Sequence, residues 1–78
     1  MDQSVKAYIR AHLKEKLKEC TENFEITKAL ASHYWKLCDP LDPRTARAYI
    51  IHNAYRDNAR KYRAQATKIR KALKDLKK

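Results

Sequence analysis

Glycine is absent from the 78 residues. Tight hairpins and phosphate-cradling loops usually depend on it, because it takes positive φ without cost. Its absence argues against a sheet protein and against any P-loop or dinucleotide fold. The only prolines, Pro40 and Pro43, stand together in one short segment. No apolar run of signal-peptide length follows the N-terminal Met1-Asp2-Gln3-Ser4, and no stretch is long enough to span a bilayer. An intracellular protein, cytoplasmic or nuclear, is therefore expected. In that setting the two cysteines, Cys20 and Cys38, are expected to be reduced and partly buried. A disulfide between them would require two helices to bring them together.

What remains is dominated by alanine, lysine, arginine, leucine and glutamate, all good helix formers. A single domain of this size buries only about 60% of its unfolded surface. There is little room for both a core and an enclosed active site, so neither an enzyme nor a bound cofactor is expected.

Apolar periodicity predicts an all-α fold of three helices, at about 4–19, 22–37 and 43–77. In the first, Val5, Ile9, Leu13 and Leu17 recur every four residues, widened by Tyr8, His12 and Cys20. Asp2 and Ser4 are candidate N-caps. The segment Cys20-Thr21-Glu22-Asn23 reads as a break, with Thr21 or Asn23 capping the second helix. That helix is apolar over a wide arc (Phe24, Ile26, Leu30, Tyr34, Trp35 and Leu37), as expected if it is sandwiched or keeps a face for a partner.

Asp39-Pro40-Leu41-Asp42-Pro43 ends the second helix, since proline cannot continue one. Asp42 is placed to cap the next, with Pro43 at its first position. From there nothing stops the chain, and 36 helical residues would span about 54 Å. From Tyr55 the apolar positions Ala59, Tyr62, Ala66, Ile69, Leu73 and Leu76 follow at 4-3-4-3-4-3, a heptad rhythm. These features predict a three-helix bundle with a long basic C-terminal helix. Leu13, Leu17, Leu30, Tyr34 and Tyr55 should be largely buried. The seam from Tyr62 to Leu76 should project beyond the two shorter helices and invite a homodimer.

The formal net charge is +10, and all of it belongs to the last helix. Residues 1–42 hold seven basic and seven acidic groups, whereas residues 43–78 hold twelve basic groups against Asp57 and Asp75. On a helical wheel the basic groups fill an arc about half a turn wide beside the Tyr55 stripe. Such a density of like charge is self-repelling unless an anion relieves it. The candidate nucleic-acid contacts are Arg44, Arg47, Arg56, Arg60, Lys61, Arg63, Lys68, Arg70, Lys71 and Lys74. Guanidinium and ammonium groups match the charge and acceptors of phosphate. Lys14 and Lys18 should matter much less, because their half of the chain is neutral. Arg44 and Arg47 follow a helix–turn–helix order that could place them in a major groove. Tyr49 falls toward the basic arc and could stack on an unpaired base.

Other chemistry is weakly signalled. His12, His33 and His52 show no zinc-ligand spacing with each other or with the cysteines, so no metal is expected. The edge of the basic helix is alanine and tyrosine rather than a bulky apolar strip, which disfavours a membrane surface. The run Lys61-Tyr62-Arg63-Ala64-Gln65-Ala66-Thr67-Lys68-Ile69-Arg70-Lys71-Ala72-Leu73 resembles the last helix of MIT domains, three-helix modules that dock peptide motifs. The resemblance covers less than a quarter of the chain, and Thr27, Ala31 and Tyr34 stand in a different register from the family's small residues. Two readings follow: a nucleic-acid-binding protein gripping DNA or RNA mainly by its phosphates, or a module docking an acidic protein.

Overall fold

Between Gln3 and Lys36 the chain holds neither proline nor glycine, and a single helix, α1, runs through all 34 residues. The computed structural model describes residues 3–77. A turn containing both prolines follows α1. One 3-10 turn, Pro43–Thr45, then leads into a second helix, α2, of 31 residues, Ala46–Leu76. At 1.5 Å per residue the helices are about 51 and 46 Å long. They pack antiparallel along their length, giving a rod of 61 × 15 × 12 Å. The described residues form no strand.

The fold is thus all-helical, but it is a long hairpin and not the expected three-helix bundle. The expected break at Cys20–Asn23 is continuous helix. The Thr21 hydroxyl donates to the Leu17 carbonyl at 2.8 Å, and the Thr27 hydroxyl to the Asn23 carbonyl at 2.8 Å. These side chains turn back onto their own helix, as threonine does in a helix interior. A capping side chain favours a helix start but does not stop the helix before it. Breaking there would also orphan the backbone groups of two helix ends. Ser4 likewise lies inside α1, and Asp2, the other expected cap, lies outside the described residues.

The apolar phase runs straight through the expected break. Leu13, Leu17, Cys20, Phe24, Thr27, Ala31, Tyr34 and Cys38 follow at 4-3-4-3-4-3-4. On α2 the matching seam is Ala48, His52, Tyr55, Ala59, Tyr62, Ala66, Ile69, Leu73 and Leu76. A repeat of 3.5 residues on both helices keeps each seam turned toward the other. The Tyr62–Leu76 seam expected to project is therefore covered by α1 of the same chain, and Ala66 is only 3% exposed.

Two helices can cover each other on one side only. The buried apolar residues are Cys20, Ala31, Ala59 and Ala66, and among the described residues no side chain is fully enclosed. Leu13, Leu17, Leu30, Tyr34 and Tyr55, expected to be largely buried, are half-buried because no third layer closes over them. Near the turn, Tyr34 stacks on Tyr55 with ring centroids 5.8 Å apart. His52 Nδ1 lies 2.7 Å from the Ala31 carbonyl, which can only accept, so this nitrogen carries the proton. The Trp35 ring lies 5.0 Å from that of His52.

The turn follows its sequence signal. Asp42 is extended (φ −116°, ψ 106°), its carboxylate accepts the Arg44 N–H at 2.9 Å, and Pro43 occupies the first position. The Thr45 hydroxyl accepts the Asp39 N–H at 3.0 Å and lies 2.9 and 2.8 Å from the carbonyls of Asp39 and Asp42. These contacts close the loop that reverses the chain.

Candidate nucleic-acid interface

The rod has two flanks, one on each side of the seam. On one, Thr21, Phe24 and Glu25 of α1 line a shallow cleft with Arg63, Ala66 and Arg70 of α2. On the other, the Cys20 thiol donates to Gln65 Oε1 at 3.5 Å. Residues seven apart share a flank on a helix in this register. Arg56 therefore joins Arg63 and Arg70 on the first flank, with Arg60 and Lys74 one position further out. The three arginines follow one another at about 10.5 Å.

The hairpin brings α1 residues to the same place. Lys14 and Lys28 stand seven residues either side of Thr21, and Lys18 lies just outside them. Among the described residues this flank carries nine basic groups: Arg56, Arg60, Arg63, Arg70, Lys74 and Lys77 from α2, with Lys14, Lys18 and Lys28 from α1. Glu25 is the one acid among them. The other acids of α1 (Glu15, Glu19 and Glu22) lie elsewhere around the helix. Their position at heptad spacing was the signal that could have revealed Lys14, Lys18 and Lys28 beforehand.

The remaining sequence candidates do not gather there. Arg47, Lys61 and Lys68 fall on the outer edge of the opposite flank, and Lys71 points away from α1. Arg44 sits at the turn with its guanidinium forked onto Asp42, Nε and Nη2 each 3.0 Å from a carboxylate oxygen. That fork, then the Arg44 N–H, holds the Asp42 carboxyl below its ordinary pKa, and the carboxylate raises that of Arg44. A groove-reading helix–turn–helix needs its helices at a steep angle. The antiparallel pairing of α1 and α2 removes that geometry.

Few of the basic groups on the flank are neutralised. The ion pairs among the described residues are Lys16–Glu19 at 3.7 Å, Arg44–Asp42 at 3.0 Å and Arg56–Asp57 at 4.0 Å. Among those residues no acid pairs with Arg60, Arg63, Arg70 or Lys74. At the turn end the flank finishes in two aromatic rings, Trp35 and Tyr49, 56% and 50% exposed. They border a cavity of about 560 Å³ that Cys38, Pro40, Pro43 and Ala46 also line.

Cys20 and Cys38 are free. Eighteen residues apart along one helix and its end, they are separated by about 27 Å, far beyond disulfide reach. Among the described residues no cluster of three or more His, Cys, Asp or Glu could hold a metal ion. No helix among them is long and apolar enough to cross a membrane.

Comparison with protein-family models, with curated proteins and with solved structures finds no match for the chain. The pattern that Lys61–Leu73 shares with MIT domains therefore carries no family assignment, and the chain has two helices where that module has three.

Proposed function

We propose that this hairpin binds nucleic acid by laying its basic flank along a phosphate backbone. The observation that carries the reading is the convergence of arginines from α2 and lysines from α1 on one side of the rod, with Glu25 the one acid between them among the described residues. A solvated surface of ordinary composition would intersperse both signs. Here mutual repulsion between the cations is relieved by a polyanion, and each phosphate neutralised releases condensed counterions.

Contact is with the backbone rather than with base edges. A major groove about 12 Å wide admits one helix. Two helices side by side, 15 × 12 Å across their Cα atoms alone, are too broad to enter it. Such contacts fix position and orientation but carry no sequence information directly. Trp35 and Tyr49 extend the same flank with two exposed ring faces on which unpaired bases can stack.

The test is binding of purified protein to labelled duplex and single-stranded DNA and RNA of unrelated sequences, followed by anisotropy across a salt series. Comparable affinities that fall linearly with log salt support the reading. If the purified protein retains no nucleic acid at low salt, and binds an acidic protein tightly after charge reversal at Arg60 and Arg63, docking of that acidic partner is the better account.

A further inference from the structure

Large apolar side chains that the hairpin leaves in water gather at its turn end. Trp35, Leu37, Leu41, Tyr49 and Ile50 are each half exposed or more. Exposed apolar surface of this kind is characteristic of an interaction site. The cavity of about 560 Å³ lies here, bordered by Trp35 of α1 and Tyr49 of α2, with Pro40 and Pro43 in its lining. Its volume is that of a small-molecule site, about 300–1,000 Å³. Trp35 is held in place, because its ring lies 5.0 Å from that of His52, whose Nδ1 is fixed 2.7 Å from the Ala31 carbonyl.

The chemistry of the loop decides what can enter. Each backbone N–H from Asp39 to Thr45 is either missing or taken. Pro40 and Pro43 have none. The Asp39 and Leu41 N–H groups donate to Thr45 Oγ1 and Asp39 Oδ1, each at 3.0 Å. Those of Asp42 and Thr45 donate to the carbonyls of Asp39 and Asp42 at 3.0 Å, and that of Arg44 to Asp42 Oδ1 at 2.9 Å. No backbone donor of this loop is left for a phosphate, and Asp39 and Asp42 in the lining repel one. A cationic ligand would have to approach a chain of net charge +10. An uncharged flat ring meets neither obstacle, and it stacks on tryptophan and tyrosine. Asp39 Oδ2 has no partner among the described residues, so it can accept from N–H groups on the edge of such a ring.

We infer that this cavity receives one unpaired base, and that the chain therefore favours a duplex that continues into single strand. The inference rests on the phosphate-gripping role of the basic flank. Register joins the two. Tyr49, Arg56, Arg63 and Arg70 follow at seven-residue steps on α2, as Lys14, Thr21, Lys28 and Trp35 do on α1. Tyr49 stands about 10.5 Å beyond Arg56, roughly three base steps of duplex. A backbone held along the arginines brings its next bases to the two rings. In a duplex those bases are stacked on their neighbours and their pairing edges are occupied. An unpaired base offers a face to Trp35 and Tyr49 and a free N–H donor to Asp39. Every base has a π face and such a donor, so the selection is for the unpaired state and not for sequence.

Trp35 is the only tryptophan of the chain, so its fluorescence reports on the cavity alone. The full chain is titrated with three probes. One is a blunt duplex of about 18 base pairs, matched to the 61 Å rod. The second is the same duplex with a short single-stranded extension on either strand, and the third carries an abasic extension of equal length. The extension should tighten binding about tenfold over the blunt duplex and quench Trp35, as stacking of one base predicts. The abasic extension, with the same phosphates, should do neither. Tyr49→Ala should abolish the ratio of extended to blunt affinity. Asp39→Asn keeps Oδ1 for the Leu41 N–H but puts an amide donor in place of Oδ2, and should reduce the ratio. Both variants should keep the helical circular dichroism spectrum. Leu41→Ala, outside the cavity, should keep the ratio. An abasic extension that gains as much overturns the inference, and so does an unquenched Trp35 at saturation or a ratio indifferent to Tyr49→Ala. In each of those cases salt-dependent binding of the blunt duplex leaves the flank reading intact. A proline-rich peptide that quenches Trp35 where the extension does not would assign the cavity to a peptide, and also overturns it. Failure of every probe to bind at low salt removes the flank reading itself, and this inference with it.

Discussion

Reversing the charge of Arg63 and Arg70 together tests the basic flank most directly. Both are exposed and neither has an acid partner among the described residues, so the double Glu substitution removes no ion pair that holds the hairpin. The 61 Å rod spans about 18 base pairs of duplex, which sets the probe length. If Arg56, Arg60, Arg63, Arg70 and Lys74 each neutralise one phosphate, log affinity falls with log salt at a slope of about −4.5. Raising salt from about 50 to 200 mM then weakens binding about 500-fold. With three such groups remaining, the slope is about −2.7 and the same change costs only about 40-fold. The assay is anisotropy of a labelled duplex at several salt concentrations, repeated on a scrambled sequence. Circular dichroism must show the variant still helical. An unchanged slope in a folded variant would refute the geometry, and so would a loss confined to one sequence.

Lys14→Glu with Lys18→Glu should also flatten the salt slope, by about 0.9 for each phosphate no longer neutralised, whereas Lys61→Glu with Lys68→Glu should change it less. Equal effects in the same anisotropy assay would deny the flank its sidedness. Ala66→Glu places a charge at a position 3% exposed and should destabilise the hairpin by about 3 kcal/mol or more, seen in urea unfolding. Leu30→Ala at a half-buried position should cost only about 1–2 kcal/mol, and a larger loss would mean that this side is covered in solution. Asp42→Asn removes a carboxyl whose pKa is lowered in the fold. A lowered folded pKa gives stability that is present above about pH 3.9 and lost as pH falls through the folded value. The melting difference between wild type and Asp42→Asn should therefore be visible near neutral pH and vanish in acid.

The local elements were legible in the chain before it folds. Absent glycine, strong helix formers and the 4-3 spacing from Tyr55 onward required helix, because these depend only on backbone propensity and on the phase of apolar residues. Asp42-Pro43 marked the chain reversal, since a cap and a fixed φ act within one turn of helix. Thr21 and Asn23 misled because the same side chains cap a helix start or bond back inside one. The choice depends on whether the flanking seams share a phase, and here they do. Which faces meet was settled in three dimensions. Pairing α1 with α2 covered the Tyr62–Leu76 seam and left Leu30 half-open. It also moved Lys14, Lys18 and Lys28 from a segment of zero net charge onto the arginine flank. Net charge is summed along the chain, whereas a binding surface is summed across space. Two helices of opposite direction bring together residues that the sequence holds some fifty positions apart.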